Sequence, residues 1–245
     1  MSIFEEILSK RFDRAANKNF PLLREFILMA ASKKANVDIQ ITDANHDVVA
    51  NLLALKKLIE GAKETIWAMT SDLQEGSALA QPQIVYNLGK WLNGGEHKVN
   101  ILLKDSSGDF RDTYFFNELQ KHVGSAVDGK VGIRYSLCKD VIDCPYNAIA
   151  SDTGAFKVKL LGDGGAEKVI VNFRDENTAR IIVEDIEFLF DDGIASTYPM
   201  QIKECQVNVS EKVVSFVDVL TKLVQMRKDV ERVVPEDITP RALAL

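Results

Sequence analysis

Hydrophobic and polar residues alternate with a period of two between Cys144 and Asp175. Apolar side chains recur at positions 148 and 150 and again at 156, 158 and 160, on the two sides of a Ser-Asp-Thr-Gly turn. A further apolar run at 169–173 is bounded by charged residues. Because period-two alternation around a turn is typical of β-hairpins, this stretch predicts three successive short strands.

Upstream of this stretch, strand patterns and helix patterns take turns along the chain. The predicted strands cover residues 37–41, 65–70, 99–103 and 131–135. The predicted helices cover residues 44–62, 83–92, 113–122 and, after the hairpins, 176–190. This alternation predicts an α/β fold with a mixed, mainly parallel sheet and helices on both faces.

Helical patterns also flank this α/β region. Two amphipathic helices are predicted before residue 36, and this stretch has seven basic against four acidic residues between Met1 and Ala35. At the other end, we expect a strand at 202–209, a long helix at 211–234 and an irregular tail. The sequence is therefore divided into an N-terminal helical appendage (1–36), an α/β domain (37–199) and a C-terminal region (200–245).

The long C-terminal helix is predicted to carry a continuous apolar stripe in an a/d register. Two interpretations of this stripe remain open at this point. The stripe packs on the core of its own chain, or it forms a homodimer interface. The interface residues of the second interpretation are Phe216, Leu220, Leu223 and Val230.

Composition narrows the classes of function. The chain has 245 residues, 46% of them hydrophobic, with a formal charge of −6 and an isoelectric point near 5.2. This charge gives no general attraction to nucleic acid or to an anionic membrane. Three cysteines without C-x-x-C spacing indicate neither a disulfide framework nor a zinc site, so we expect a cytoplasmic protein. We also expect that the protein uses no cofactor and no metal. No stretch is long and apolar enough to predict a membrane segment.

The hairpin region resembles the end of a phospholipase D-like domain, in which a strand with H-x-K-x-x-x-x-D precedes a G-S-x-N motif. With Asp152 in the place of the aspartate, Pro145 stands where the histidine belongs and Asn147 where the lysine belongs. With Asn172 in the place of the asparagine, Val169 and Ile170 replace glycine and serine. The resemblance covers roughly residues 45–195 and implies a catalytically degenerate member of the superfamily.

The three histidines do not restore the missing chemistry. Active members of the superfamily form a phosphohistidine, and a second histidine protonates the leaving group. His46, His97 and His122 all lack H-x-K spacing near a strand end. We therefore expect a binding, regulatory or assembly protein that is not an enzyme. The resemblance further implies a homodimer, because an active site in this superfamily needs two motifs.

Polar residues near the ends of the predicted hairpin strands form a candidate binding cleft for a small anionic ligand. The candidate ligand-binding residues are Asn147, Asp152, Lys157, Asn172 and Arg174, and Lys159 lies among them. The alternative interpretation is that these groups satisfy their own hairpins and cap the next helix. Two other functions remain open: a phosphodiesterase or nuclease with an atypical site, and a nucleic-acid-binding regulator that uses the basic N-terminal helices.

Overall fold

The computed structural model of the chain describes residues 21–41, 44–104, 108–160, 168–194 and 203–228. The strands are β1 (Ile39–Ile41), β2 (Thr65–Thr70), β3 (Lys98–Leu103), β4 (Val131–Tyr135), β5 (Tyr146–Ser151), β6 (Phe156–Leu160) and β7 (Lys168–Asn172). The α-helices are α1 (Pro21–Lys33), α2 (Ala44–Gly61), α3 (Pro82–Asn93), α4 (Tyr114–Val123), α5 (Val127–Lys130), α6 (Lys139–Ile142), α7 (Glu176–Asp192) and α8 (Val207–Lys228).

All seven strands belong to one mixed sheet with the order β1-β7-β6-β5-β2-β3-β4. Strands β2, β3 and β4 run parallel to one another, joined by crossovers that contain helices. The other four described pairings are antiparallel. The mixed α/β sheet with helices on both faces is confirmed, but its pairings are mostly antiparallel. The reason is that short connections join β5, β6 and β7, and a parallel neighbour needs a long crossover.

The sheet separates two hydrophobic clusters, one on each face. The first face carries side chains such as Ile66, Ile101 and Ile149, and α1 to α4 pack over it. The second face carries side chains such as Met69 and Phe156, which α7 and α8 cover. Since successive residues of a strand point to opposite faces, a strand covered on both sides is apolar at nearly every position.

The described part of the N-terminal appendage shares the first cluster. Ile27 and Ala30 of α1 are 0% and 1% exposed and pack with the core of the α/β domain. The first of the two predicted N-terminal helices, over residues 2–16, lies outside the described residues. From residue 21 onward, the N-terminal segment is therefore a layer of the same structural unit.

The predicted strand at 202–209 is wrong. In this segment Lys203 forms an isolated bridge with Cys138, and α8 already begins at Val207. Buried residues recur at 209, 213, 216, 220 and 223, which is helical spacing. The apolar residues at 207 and 209 that suggest period two belong to the first turn of this longer helical pattern.

The apolar stripe of α8 packs within its own chain. Phe216 and Leu220 are 0% exposed and Leu223 is 8% exposed, all in the cluster on the second face. The homodimer interface predicted at these three residues is therefore corrected to an intrachain contact, because their side chains are occupied by the sheet and α7. Val230 lies outside the described residues.

Cys138 and Cys205 have no sequence spacing that indicates a pair, but the structure pairs them with their Cα atoms 4.8 Å apart. This distance lies within the range that disulfides span. The pair joins the segment after β4 to the segment before α8. Cys144 is buried and is not part of a disulfide.

Among the described helices, none has the length and apolarity needed to cross a bilayer.

The two edges of the sheet differ. Strand β1 at one edge is three residues long. At the other edge, Tyr135 of β4 exchanges two backbone hydrogen bonds with Ile194, with N–O distances of 2.9 and 3.0 Å. The segment after α7 therefore occupies the carboxyl end of the outer strand.

Candidate ligand-binding site

A cavity of about 440 Å³ opens on the first face of the sheet, where β2 lies beside β5. The loop after β2, residues 71–81, leaves the sheet here and forms one wall. On one side of this boundary the strands are parallel, and on the other they are antiparallel. Ligand sites in open α/β sheets commonly lie beyond the carboxyl ends of parallel strands, where the direction of chain winding changes. The position of the cavity matches this rule.

The inner part of the cavity combines apolar side chains with a lysine. Ala68 of β2, Ile149 of β5 and Leu55 of α2 line it together with Lys157 of β6. Lys157 is 6% exposed. Side chains alternate between the two faces along β6, so Lys157 points to the first face while its neighbours Phe156 and Val158 point to the second. An ammonium group so far removed from water requires anionic or hydrogen-bonding partners.

Lys159 and Asn147 lie side by side on the same wall. They are direct cross-strand partners in the antiparallel register of β5 and β6. The hydroxyl of Ser71 donates to Oδ1 of Asn147 at 3.2 Å. This bond directs the amide oxygen toward Ser71, so the Asn147 amide presents N–H donors to its remaining surroundings. Lys157 and Lys159 each also interact with another group of the chain.

The loop wall carries acceptors. Asp72 and Glu75 line the cavity together with Gln74 and Ser77. Oδ1 of Asp72 accepts the backbone N–H of Gln74 at 2.9 Å, which forms a local turn. Gly76 has a φ of +105°, a conformation that residues with a side chain rarely adopt. The loop is therefore shaped by its own sequence.

Asp152 lies at the opposite end of β5 and does not line the cavity. Its Oδ1 accepts the backbone N–H of Lys63 at 3.0 Å, and its Oδ2 accepts that of Glu64 at 2.7 Å. These bonds tie the turn between α2 and β2 to the hairpin after β5. Asp152 is therefore placed as a structural cap, away from the predicted cleft.

Asn172 and Arg174 are also separate from the cavity. Asn172 is 1% exposed and donates to the side chains of Asn36 and Asp38 at 3.0 and 2.7 Å. Its Oδ1 accepts the backbone N–H of Arg174 at 2.9 Å, while the Arg174 residue is exposed. Of the five predicted site residues, the structure brings only Asn147 and Lys157 together in one cavity, because the others satisfy backbone and side-chain groups elsewhere.

The described histidines lie in structural environments. The ring of His97 stacks on Trp91 with centroids 4.4 Å apart, and its Nδ1 contacts the Trp91 carbonyl oxygen. The ring of His122 meets Tyr86 edge to face at 5.7 Å. The side chain of His46 lies outside the described part. Among the described residues that line the cavity, none is a histidine.

A second buried lysine, which the sequence reasoning missed, lies on the other face of the sheet. Lys104 is 3% exposed, and its Nζ donates to the carbonyl oxygens of Cys144 and Tyr146 at 2.7 and 3.0 Å. Burial lowers the pKa of the Lys104 ammonium, and nearby Cys144 opposes this shift. Burial also raises the pKa of the Cys144 thiol. The only sequence signal was a lysine directly after the apolar run of β3.

The described residues offer no metal site. Within the described ranges, no three His, Cys, Asp or Glu side chains come together in a way that could hold an ion. The polar groups of the cavity are ammonium, amide, hydroxyl and carboxylate groups. This set suits the binding of a polar small molecule through hydrogen bonds and charge.

No protein-family model matches the chain, and no match was found among curated proteins. The solved structures that are similar to it include the following two. One is Nuc, a phospholipase D family member from Salmonella typhimurium, at 14% identity and a TM-score of 0.44, covering 64% of this chain and 97% of that one. The other is TrmBL2, an archaeal chromatin protein with a novel mode of DNA binding, at 15% identity and a TM-score of 0.37, covering 82% of this chain and 66% of that one. At these values the likeness carries no argument about function.

Proposed function

We propose that this chain is a non-catalytic, phospholipase D-like α/β module that binds a small molecule with an anionic group. The observation that carries the proposal is the position of Lys157, which is 6% exposed and lines a cavity of about 440 Å³. Lys159 and Asn147 supply further donors on the same wall. Three donor groups on one concave surface are an anion-recognition arrangement.

Two physical points support this use of the cavity. Its volume falls within the range of about 300–1,000 Å³ that small-molecule sites occupy. The apolar side chains around Lys157 lower the local dielectric constant, so Coulomb attraction within an ion pair is stronger there than in water.

The absence of turnover is part of the proposal. Pro145 and Asn147 occupy the positions at which the resemblance places a nucleophile and a phosphate-binding lysine. His97 and His122 are engaged with aromatic neighbours outside the cavity wall. A protein that binds without converting its ligand suits a sensing or regulatory role. The rival function, a phosphodiesterase with an atypical site, predicts cleavage that is lost when His97 or His122 is replaced.

The experiment is a binding measurement with matched variants. Calorimetry with inorganic phosphate, succinate and the twenty free amino acids tests the wild-type chain, Lys157→Met and Lys98→Met. Lys98 is an exposed strand lysine away from the cavity and serves as the control. We expect at least one probe to bind the wild type and the Lys98 variant alike, and to bind the Lys157 variant about tenfold more weakly or worse.

Two results would count against the proposal. Binding that is unchanged in Lys157→Met would remove the cavity as the site. Hydrolysis of bis(p-nitrophenyl) phosphate by the wild type that is abolished by His97→Gln or His122→Gln would make the chain an enzyme. The unliganded melting temperature of each variant, measured in parallel, separates lost binding from lost folding.

A further inference from the structure

The two walls of the cavity carry charges of opposite sign. The strand wall presents Lys157, Lys159 and Asn147, whose side chains offer mainly hydrogen-bond donors. The loop wall presents the carboxylates of Asp72 and Glu75. A ligand that is only anionic would meet favourable charge on one wall and unfavourable charge on the other.

One carboxylate oxygen of Asp72 is available as a hydrogen-bond acceptor for a ligand. Its Oδ1 accepts the N–H of Gln74, whereas Oδ2 has no hydrogen-bond partner in the described part of the chain. Thr70, which precedes the loop and is 9% exposed, donates its hydroxyl to the backbone oxygen of Asp72 at 3.4 Å. Asp72 is thus anchored through its backbone and one carboxylate oxygen, which leaves the second oxygen for a donor on the ligand.

The lining also restricts the shape of the ligand. Among the described residues that line the cavity, none is aromatic. Nucleobases are usually held by stacking on aromatic side chains, which supply about 1–3 kcal/mol per base. The aliphatic and short polar side chains found here instead suit a compact, flexible molecule.

From these observations we infer that the ligand is a small zwitterion of the free amino acid type. Its carboxylate binds at Lys157 and Lys159, and its ammonium binds at Asp72 and Glu75. The inference rests on the proposed ligand-binding function and adds the second charge of the ligand. It assigns to the loop after β2 the role of distinguishing an amino acid from a plain carboxylate.

The test compares each amino acid that binds with the acid that lacks its amino group, for example L-glutamate with glutarate. We expect the wild type to bind the amino acid about tenfold more tightly than the deaminated acid, the worth of one charge-assisted hydrogen bond. In the double variant Asp72→Asn, Glu75→Gln this difference should disappear, while affinity for the deaminated acid stays unchanged or rises, because the two carboxylates that repel it are gone. The Asp72→Asn change keeps a side-chain oxygen that can accept the Gln74 N–H. Asp112→Asn, an exposed position outside the cavity, is the control.

The possible failures are distinguishable. Equal affinity for the amino acid and its deaminated partner would overturn the zwitterion inference and leave the anion site intact. Binding of phosphate or succinate with no binding of any amino acid would do the same. If none of these probes binds the wild type, the proposed function itself fails, and the inference with it.

Discussion

Asp185 of α7 forms an ion pair with Lys212 of α8 at a position where Asp185 is only 3% exposed. The second carboxylate oxygen, Oδ2, is buried and has no hydrogen-bond partner among the residues that the structure describes. A half-satisfied buried carboxylate costs free energy that a single ion pair does not fully offset. The pair links α7 to α8. Because it contains a buried acid, its contribution to stability depends on pH.

The first prediction concerns this pH dependence. Burial raises the pKa of Asp185 above its ordinary value of 3.8, while Lys212 opposes the shift. A carboxyl group whose pKa is raised on folding favours the folded state below its unfolded pKa, and this contribution is lost as the pH rises through the folded pKa. The unfolding free energy of the wild type, relative to Asp185→Asn, should therefore rise as the pH falls from about 7 to about 4.

Urea denaturation at several pH values measures this difference. Glu187→Gln, an exposed acid on the same helix, is the control and should follow the wild type. A relative stability of the wild type that falls on acidification would mean that Lys212 dominates over burial and would contradict the prediction.

The second prediction concerns the stripe on α8. Leu220 is 0% exposed within its own chain, so Leu220→Ala should lower the unfolding free energy by about 2–5 kcal/mol. Val214, on the same helix and 60% exposed, is the matched control, and Val214→Ala should change it by less than about 0.5 kcal/mol. Sedimentation velocity accompanies the denaturation curves. Unchanged stability together with a loss of dimer would restore the intermolecular interpretation.

The third prediction separates Asp152 from ligand binding. Because its carboxylate accepts backbone N–H groups of the turn before β2, Asp152→Ala should cost about 1–2 kcal/mol of stability. Affinity for any ligand of the cavity should stay within about twofold of the wild type. Asp218→Ala on the exposed side of α8 controls for loss of a negative charge. A Kd raised tenfold with unchanged stability would place Asp152 in the site.

The fourth prediction concerns Cys138 and Cys205. Their Cα separation of 4.8 Å permits a disulfide, which would close a loop across a sequence separation of 67 residues. In the loop-entropy description such a link stabilises by about 4 kcal/mol. Oxidation with diamide should therefore leave one free thiol out of three and raise the urea midpoint. In Cys205→Ser the midpoint should not respond. Three free thiols after oxidation would show that the pair does not join.

The sequence was sufficient for elements whose pattern is local. The hairpin strands β5, β6 and β7 are indicated by period-two alternation around turns, and each was predicted close to its observed bounds. The cap of α7 was also predictable, since Asp175 stands three residues before Thr178, whose N–H its Oδ1 accepts at 3.1 Å. Such signals need only neighbouring residues.

The candidate site was less predictable, because its partners are distant in sequence. Asp152 caps N–H groups 87 to 89 residues earlier, and Asn172 binds side chains 134 and 136 residues away. No local pattern reveals that such polar groups are already satisfied. The opposite wall of the cavity, the loop after β2, was missed for a related reason, since only the pairing of β2 with β5 brings it to Lys157.

The contact between Tyr135 and Ile194 has a consequence for the behaviour of the protein at high concentration. An open sheet edge offers unpaired backbone groups to the strands of other molecules and is a common origin of aggregation. At β4, the chain's own Ile194 takes up the backbone groups of Tyr135. At the far edge, β1 offers only three residues. Growth of the sheet from molecule to molecule is thus restricted at both edges.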